Sequence, residues 1–181
     1  YGTATTIMDY ARFNYVAQPG DDTCFNPKIG PYDLYNIEWG YRPILDAASP
    51  EDIARAAASS GCRSVAYTYN DPVIFLEYAI DTAIACRERG LKSVAVTAGY
   101  ITPQARGEFF DVMDAANIDL KAFTEDFYRI QCGGELETVK ATLQYVAAKT
   151  DVWIELTTLL IPGENDSEAE IDEMSKWVVD R

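Results

Sequence analysis

Residues 49–72 read SPEDIARAAASSGCRSVAYTYNDP and contain one complete helix–strand unit. Ser49 can cap a helix, Pro50 suits its first turn, and the helix dipole favours the acidic residues that follow. The helix predicted from Pro50 ends at Gly61, and a strand is predicted over residues 64–69. The turn at residues 70–72 then leads into another helix. This stretch therefore predicts a fold in which helices and strands alternate.

The same alternation continues to the end of the chain. Further strands are predicted over residues 93–97, 118–121 and 151–160. The helices between and after them are predicted to run to about residue 89, from residue 102, near residues 125–130, over residues 135–149, and from residue 167. Strands that are separated by single helices imply a parallel sheet buried on both faces. The spacing suits either a barrel or an open, doubly wound sheet.

The chain before residue 45 has a different character. It is rich in Tyr, Gly, Pro and Asn and has no sustained helical or strand period. We therefore predict a boundary near residues 45–48. An irregular segment would occupy residues 1–45, and the α/β unit would occupy residues 46–181.

The net charge excludes two classes of partner. The 181 residues include 15 Lys and Arg against 29 Asp and Glu, which gives a formal charge of −14. Such a surface repels nucleic acid phosphates and anionic lipid, so we expect neither nucleic acid nor membrane as a partner. No apolar run is long enough to span a bilayer and no export signal is visible. We expect a cytoplasmic protein.

The residues that usually bind metals are scarce. The sequence contains no histidine, and its four cysteines are Cys24, Cys62, Cys86 and Cys132. No two of them form a C-x-x-C pair, so we expect free, mostly buried thiols and no metal site.

Polar residues follow the predicted strands, at the end where parallel sheets place their chemistry. Asp119 and Lys121 are two apart on one strand, so their side chains share a face. A carboxylate and an ammonium placed there could bind a zwitterionic ligand such as an amino acid, or could simply form an ion pair that caps a barrel end. Glu155 and Thr157 repeat this spacing on the fourth strand, where a charged residue is unusual in a core strand. That repeat favours a barrel mouth lined by polar side chains.

Three motifs carry a resemblance to a known family. They are GCRSVAYTYNDP at residues 61–72, NIDLKAF at residues 117–123 and ELTTLLIPGEND at residues 155–166. Together they resemble the radical S-adenosylmethionine (SAM) enzymes of the AmmeMemoRadiSam system, relatives of the pyruvate formate-lyase activating enzymes. The resemblance implies an α/β fold, a partial parallel (β/α) barrel of radical SAM type, behind an irregular N-terminal segment. It also implies SAM and a [4Fe–4S] cluster as cofactors, and SAM or a protein as the molecule bound.

The resemblance also implies which residues contact SAM. Asn70 and Asp71, at the end of the first predicted strand, would bind its amino group, and Asp119 and Lys121, on the third, would reach its carboxylate or ribose. The residues on the fourth strand would lie across the mouth. The complete set is Asn70, Asp71, Thr97, Gly99, Asp119, Lys121, Glu155 and Thr157.

This sequence departs from the family pattern in ways that affect chemistry. Asp71 stands where the family usually has Glu, and Ala98 stands where it usually has Asn. The C-x-x-x-C-x-x-C loop, whose three thiolates would hold the cluster, is absent together with the strand before it. We therefore expect no cluster in this chain and no cleavage of SAM by it, and we assign no catalytic residue.

The first 44 residues resemble a different family. TIMDY at residues 6–10 and WGYRP at residues 39–43 are similar to the Met-turn region of bacterial zinc-dependent metalloproteases, the metzincins. The H-E-x-x-H zinc helix is absent, so we expect no bound zinc. A fusion or a faulty gene assembly would explain both halves, and the surrounding genomic DNA would test it. The alternatives to a radical SAM fragment are a metalloprotease fragment and a non-catalytic acidic α/β interaction module.

Overall fold

The structure is a computed structural model that describes residues 48–68 and 71–180. The irregular segment predicted over residues 1–45, its Met-turn motif and Asn70 lie outside the described residues. Strands and helices alternate through the described part, as the sequence predicts. In chain order they are α1 (Pro50–Ser59), β1 (Ser64–Tyr67), a 3₁₀ turn (Pro72–Phe75), α2 (Leu76–Glu88), β2 (Lys92–Thr97), α3 (Pro103–Phe110), β3 (Ala115–Asp119), α4 (Glu125–Phe127), a π-helical turn (Tyr128–Cys132), α5 (Leu136–Lys149), β4 (Trp153–Thr157) and α6 (Glu168–Val179).

Local capping explains where several helices begin and end. Ser49 and Asp52 form a reciprocal capping box at the start of α1, and the Ser167 side chain accepts the Glu170 N–H at the start of α6. The π-helical turn ends at Gly133, whose φ of 66° places it in the left-handed region. The predicted starts at Ser49 and Ser167 are confirmed.

The four strands form one parallel sheet in the order β1-β2-β3-β4. Sequence neighbours are therefore sheet neighbours, with no reversal of strand order. Successive helices also pack against each other, α1 on α2 and α2 on α3, and share one hydrophobic core. Helices that follow one another on a single face of a singly wound sheet form an arc of a (β/α) barrel, whereas a doubly wound sheet has helices on both faces.

The two faces of the sheet differ in exposure. The face toward the helices is buried and carries Val65, Tyr67, Ala95 and Ile118. The opposite face, which we call the concave face, carries the alternate residues of each strand. On β4 those residues, Trp153, Glu155 and Thr157, are exposed. The prediction of a sheet buried on both faces is therefore wrong at β4, because the described residues place no helix over its concave side.

The bounds of two strands also differ from prediction. β3 begins at Ala115, three residues before the predicted start, because Ala115–Asp119 pairs in register with Trp153–Thr157. β4 ends at Thr157, although the apolar sequence continues to Ile161, because its partner strand ends at Asp119. Pairing with the neighbouring strand sets where each strand begins and ends. The local sequence of a strand does not reveal this pairing. No helix within residues 48–68 and 71–180 is long and apolar enough to cross a membrane.

Candidate functional site

An ion pair lies where β3 ends on the concave face. Lys121 Nζ is 2.8 Å from Asp119 Oδ2, and both side chains remain partly exposed. Asp119 is the register partner of Thr157, and Asn117 is the register partner of Glu155. Because paired residues of a parallel sheet point to the same side, these side chains share one face. Four residues predicted from sequence, Asp119, Lys121, Glu155 and Thr157, are therefore brought together.

Asn117 joins this group, although it is not among the residues predicted from the sequence. Its Nδ2 donates to Thr157 Oγ1 at 2.9 Å, and the Thr157 hydroxyl lies 3.1 Å from Asn117 Oδ1. The side-chain amide and the hydroxyl thus bridge β3 and β4. The sequence does contain one indication of this role. Asn117 lies two residues before Asp119 on the same strand, so the two side chains must point to the same face of the sheet.

The backbone of Lys121 is fixed from both sides. Its N–H donates to the Tyr128 hydroxyl at 3.0 Å, and its carbonyl accepts from Asn165 Nδ2 at 2.7 Å. The hydroxyl of Thr158 donates to the preceding carbonyl, that of Leu120, at 2.7 Å. Burial of the ring raises the pKa of Tyr128 to about 12, so its hydroxyl stays neutral near neutral pH. These bonds hold the residue that carries the ammonium.

Asn165 is a second residue of the site that the sequence does not predict. It is buried, its Nδ2 also donates to the Leu159 carbonyl at 3.0 Å, and its Oδ1 accepts from the Ile161 N–H at 2.6 Å. One side chain therefore folds the loop after β4 and ties it to Lys121. Its place after Pro162-Gly163 indicates a turn, but nothing in the sequence links it to a backbone 44 residues away.

Asp71, Thr97 and Gly99 form a separate group. The Asp71 carboxylate accepts the Thr97 hydroxyl at 2.8 Å and the N–H groups of Val73 at 3.0 Å and Ala98 at 2.8 Å. Thr97 is buried on the helix-covered face, and Gly99 has a φ of 68° with no room for a side chain. In this structure Asp71 caps the 3₁₀ turn and ties it to the end of β2, so its oxygens are already used by protein donors.

The described cysteines do not fit an iron–sulfur cluster. Cys86 is buried 4.0 Å from the Tyr67 hydroxyl, Cys132 is exposed at the end of the π-helical turn, and Cys62 precedes β1. Burial raises the pKa of the Cys86 thiol, which disfavours the thiolate that binds iron. Between residues 48 and 180, leaving out 69 and 70, no group of three or more His, Cys, Asp or Glu side chains could hold a metal ion.

The concave-face residues carry polar groups of the kinds that could bind the polar parts of SAM. SAM presents an α-ammonium, a carboxylate and a ribose diol. Lys121 offers a cation, Asp119 and Glu155 offer carboxylates, and Asn117 and Thr157 offer both donors and acceptors. The remaining predicted residues do not fit equally well, since the Asp71 oxygens are engaged and Thr97 is buried.

Comparisons with known proteins give two kinds of match. Residues 1–72 match a family model described as Met-zincin. An uncharacterised protein, MJ0808, of Methanocaldococcus jannaschii is 36% identical over 119 residues, which are 66% of this chain. The match covers 34% of that protein, so the chain spans about a third of the length of this curated relative.

Two solved structures resemble the described fold. One is a domain of pyruvate-formate lyase-activating enzyme from Bacteroides vulgatus, with a TM-score of 0.55 and 22% identity over 63% of this chain and 70% of that chain. The other is TYW1 with a lysine-pyruvate adduct bound, with a TM-score of 0.52 and 20% identity over 84% of this chain and 51% of that chain. The α/β fold is therefore a partial parallel (β/α) barrel, and these two structures share that fold.

Proposed function

We propose that the described part of this chain is the SAM-binding portion of a radical SAM protein of the activating-enzyme type. The observation that carries the proposal is the Asp119–Lys121 ion pair on the concave face, beside Asn117 and Thr157. The radical SAM fold supports it, because ligands of parallel (β/α) folds lie at the carboxyl ends of the strands. All of these side chains lie at or near that end.

Each group has a separate part in binding. The Lys121 ammonium would bind the SAM carboxylate, and the Asp119 carboxylate would bind the α-ammonium or a ribose hydroxyl. Thr157 and Asn117 hold each other in place and would offer their remaining hydrogen-bonding capacity to the ribose. Glu155, exposed on the same face, adds negative charge that favours the sulfonium. In this family SAM supplies a hydrogen-abstracting radical when a reduced cluster cleaves it.

We propose further that this chain binds SAM without cleaving it. The described cysteines do not converge, and the family's C-x-x-x-C-x-x-C loop does not occur in the 181 residues. Anaerobic reconstitution followed by iron and sulfide analysis tests this part. We expect less than one iron per chain, and four irons with four sulfides per chain would contradict it.

Calorimetric titration of the full chain with SAM tests the binding site. Lys121→Met removes the ammonium while the backbone contacts with Tyr128 and Asn165 remain. A charge-assisted hydrogen bond contributes about 1.5–3 kcal/mol, so we expect Kd to rise about tenfold or more. Asp119→Asn should weaken binding to a similar extent, because the neutral amide removes the negative charge that strengthens the bond to a cation.

Lys92→Met is the matched control. Lys92 also forms an ion pair, with Asp114 at 2.6 Å, but at the opposite end of the sheet. We expect its Kd for SAM to stay within about twofold of the unchanged chain. Equal losses in Lys121→Met and Lys92→Met would show that charge in general is responsible and would contradict a site on the concave face.

A second candidate function is supported by the family match to residues 1–72. A metzincin would hydrolyse peptides at a zinc ion, whose usual ligands include histidine. The sequence has no histidine, so a zinc site would need other donors. Zinc analysis with a peptide hydrolysis assay separates the candidates, since stoichiometric zinc with peptidase activity would favour the metalloprotease.

A further inference from the structure

The last helix of the described part, α6, is attached to the fold differently from the longer helices before it. None of its 12 residues is buried, whereas α1, α2, α3 and α5 each carry several buried residues. Only half-buried side chains of α6, among them Met174 and Trp177, pack against the core. A helix that buries little apolar area opens at a lower free energy than the core, so we expect α6 to open while the sheet stays folded.

Two contacts of α6 reach a short segment beside the candidate site. We call residues 120–123, which include Lys121, the clamped segment. Glu170 Oε1 accepts the Phe123 N–H at 2.6 Å. The Trp177 ring packs against the Phe123 ring, with 5.7 Å between the ring centroids. The backbone and the side chain of Phe123 are therefore both held by α6.

A lysine of α5 strengthens this contact. The Lys140 ammonium lies 5.3 Å from the centroid of the Phe123 ring and 5.7 Å from that of the Trp177 ring. The Lys140 side chain is only 17% exposed, and a partly desolvated cation is attracted more strongly to an aromatic face than an exposed one. The ammonium and the two rings thus join α6, the clamped segment and α5.

A third contact of α6 reaches the residue before Lys121. The Met174 sulfur lies 3.7 Å from the Thr158 hydroxyl, and this hydroxyl donates to the Leu120 carbonyl at 2.7 Å. Lys121 is thus flanked by Leu120, which α6 supports through Thr158, and by the Ala122–Phe123 pair, which α6 holds directly. The position of the Lys121 backbone therefore depends on whether α6 is docked.

We propose that docking of α6 regulates the affinity of the candidate site for SAM, with Glu170 as the positioning residue. Release of α6 would free the Phe123 N–H and allow Lys121 to leave the place where its ammonium lies 2.8 Å from Asp119. Coupling between two equilibria is reciprocal, so bound SAM would in turn keep α6 docked. This inference rests on the proposed SAM site and adds its regulation, since α6 acts through the clamped segment.

Calorimetric titration of the full chain with SAM tests the role of Glu170. Glu170→Ala removes the acceptor of the Phe123 N–H, so we expect Kd to rise about fivefold or more. Glu170→Gln keeps a side-chain oxygen that accepts the same N–H, so its Kd should stay within about twofold of the unchanged chain. Equal rises in both variants would show that charge and not the hydrogen bond is responsible, and would overturn the positioning role.

A matched control and a second variant complete the titration. Glu173 is exposed on the same helix, so Glu173→Ala removes the same charge and should leave Kd within about twofold. Trp177→Leu keeps Glu170 but loses the ring contact with Phe123, and should raise Kd about threefold or more. A Kd that is the same in Glu170→Ala, Trp177→Leu and Glu173→Ala would overturn the proposal.

Hydrogen exchange with mass spectrometry separates this inference from the proposed function. Without SAM, a peptide covering residues 120–127 should exchange at least about threefold faster in Glu170→Ala than in the unchanged chain. Saturating SAM should slow exchange in residues 168–179 of the unchanged chain but not of Glu170→Ala. SAM binding with no change in residues 168–179 would overturn this inference alone. A chain that does not bind SAM would overturn the proposed function and this inference with it.

Discussion

Asn165 connects two parts of the site with one side chain. Its donor bonds reach the carbonyls of Lys121 and Leu159, and its acceptor bond comes from the Ile161 N–H. Because the residue is buried, removing the amide leaves three backbone groups without their partners. We expect Asn165→Ala to lower the free energy of unfolding by about 2–4 kcal/mol, measured by urea denaturation.

Asn165→Asp is the sharper comparison. Aspartate keeps an acceptor for Ile161 but places negative charge against two carbonyl oxygens. It should therefore be no more stable than Asn165→Ala, and should also weaken SAM binding because Lys121 loses its anchor. If the free energy of unfolding falls by less than about 0.5 kcal/mol in both variants, the loop after β4 does not depend on this residue.

Tyr128 gives the site a pH-dependent contribution to stability. Its pKa is raised mainly by burial to about 12, against about 10 in the unfolded chain. Below pH 10 the phenol is neutral in both the folded and the unfolded state. Between pH 10 and 12 the unfolded state loses its proton first. The free energy of unfolding therefore falls over this range. By pH 11 that loss is about 1.4 kcal/mol.

Tyr128→Phe measures this contribution. The variant lacks the hydroxyl that accepts the Lys121 N–H, so it should be about 1–2 kcal/mol less stable at pH 8. The variant does not titrate at this position, so the difference in the free energy of unfolding should shrink by about 1.4 kcal/mol at pH 11. Urea unfolding at both pH values checks this, and a difference that widens with pH would contradict the linkage.

The sequence predicted some of these residues and not others, for a physical reason. Strand alternation alone places Asp119 and Lys121 on one face, so their pairing could be expected. The hydrogen bond from Asn165 to Lys121 joins residues that are 44 positions apart in the sequence, and no local sequence pattern predicts a contact over that separation. The same holds for Asp71, which the family resemblance assigned to a ligand and which accepts the distant Thr97 hydroxyl in the structure.

At the scale of elements, Gly99 sets the close approach of the loop after β2 to its neighbours. Its φ is 68°, and an added Cβ would lie 2.9 Å from Ile118 Cγ2 and 3.5 Å from Val139 Cγ1. β3 and α5 therefore leave no room for a side chain there. Glycine permits both this contact and the left-handed backbone.

Gly99→Ala and Gly90→Ala separate these two effects. Gly90 ends α2 with a φ of 72°, but nothing lies within 4 Å of an added Cβ. Gly90→Ala should lower the free energy of unfolding by about 1–2 kcal/mol, from the left-handed backbone alone. Gly99→Ala should cost about 1–3 kcal/mol more, because the core around Ile118 must shift. Equal costs in thermal or urea unfolding would mean that the contact is not tight.

The order and type of the elements were predictable, but their ends were not. Caps such as Ser49 and Ser167 and stops such as Gly61 act locally, so the sequence predicts them. The ends of β3 and β4 depend on pairing between Asp119 and Thr157, which lie on different strands. The choice between a barrel and a doubly wound sheet depends on which face the helices cover, which strand spacing does not determine.

At the scale of the whole molecule, two resemblances overlap. The Met-zincin match extends over residues 1–72 and so includes α1 and β1. In the structure Ile53 and Ala57 of α1 share one core with Ala79 and Ala83 of α2. That packing supports our proposal that the α/β unit begins near residue 46 and not after residue 72.

Limited proteolysis of the full chain tests the proposed boundary. A unit that begins near residue 46 should leave a resistant fragment with its N-terminus close to residues 45–48, because α1 is packed into the core. N-terminal sequencing identifies the cut. A resistant fragment that starts after residue 72 would assign α1 and β1 to the preceding unit.

The central claim is that Asp119, Lys121, Glu155 and Thr157 form one binding face for SAM. Hydrogen exchange of the full chain, followed by mass spectrometry with and without saturating SAM, tests it directly. We expect slower exchange in peptides covering residues 115–123 and 153–165 and no change in residues 76–95, which contain the Lys92 control position. Protection confined to other segments, or none at saturating SAM, would contradict the account.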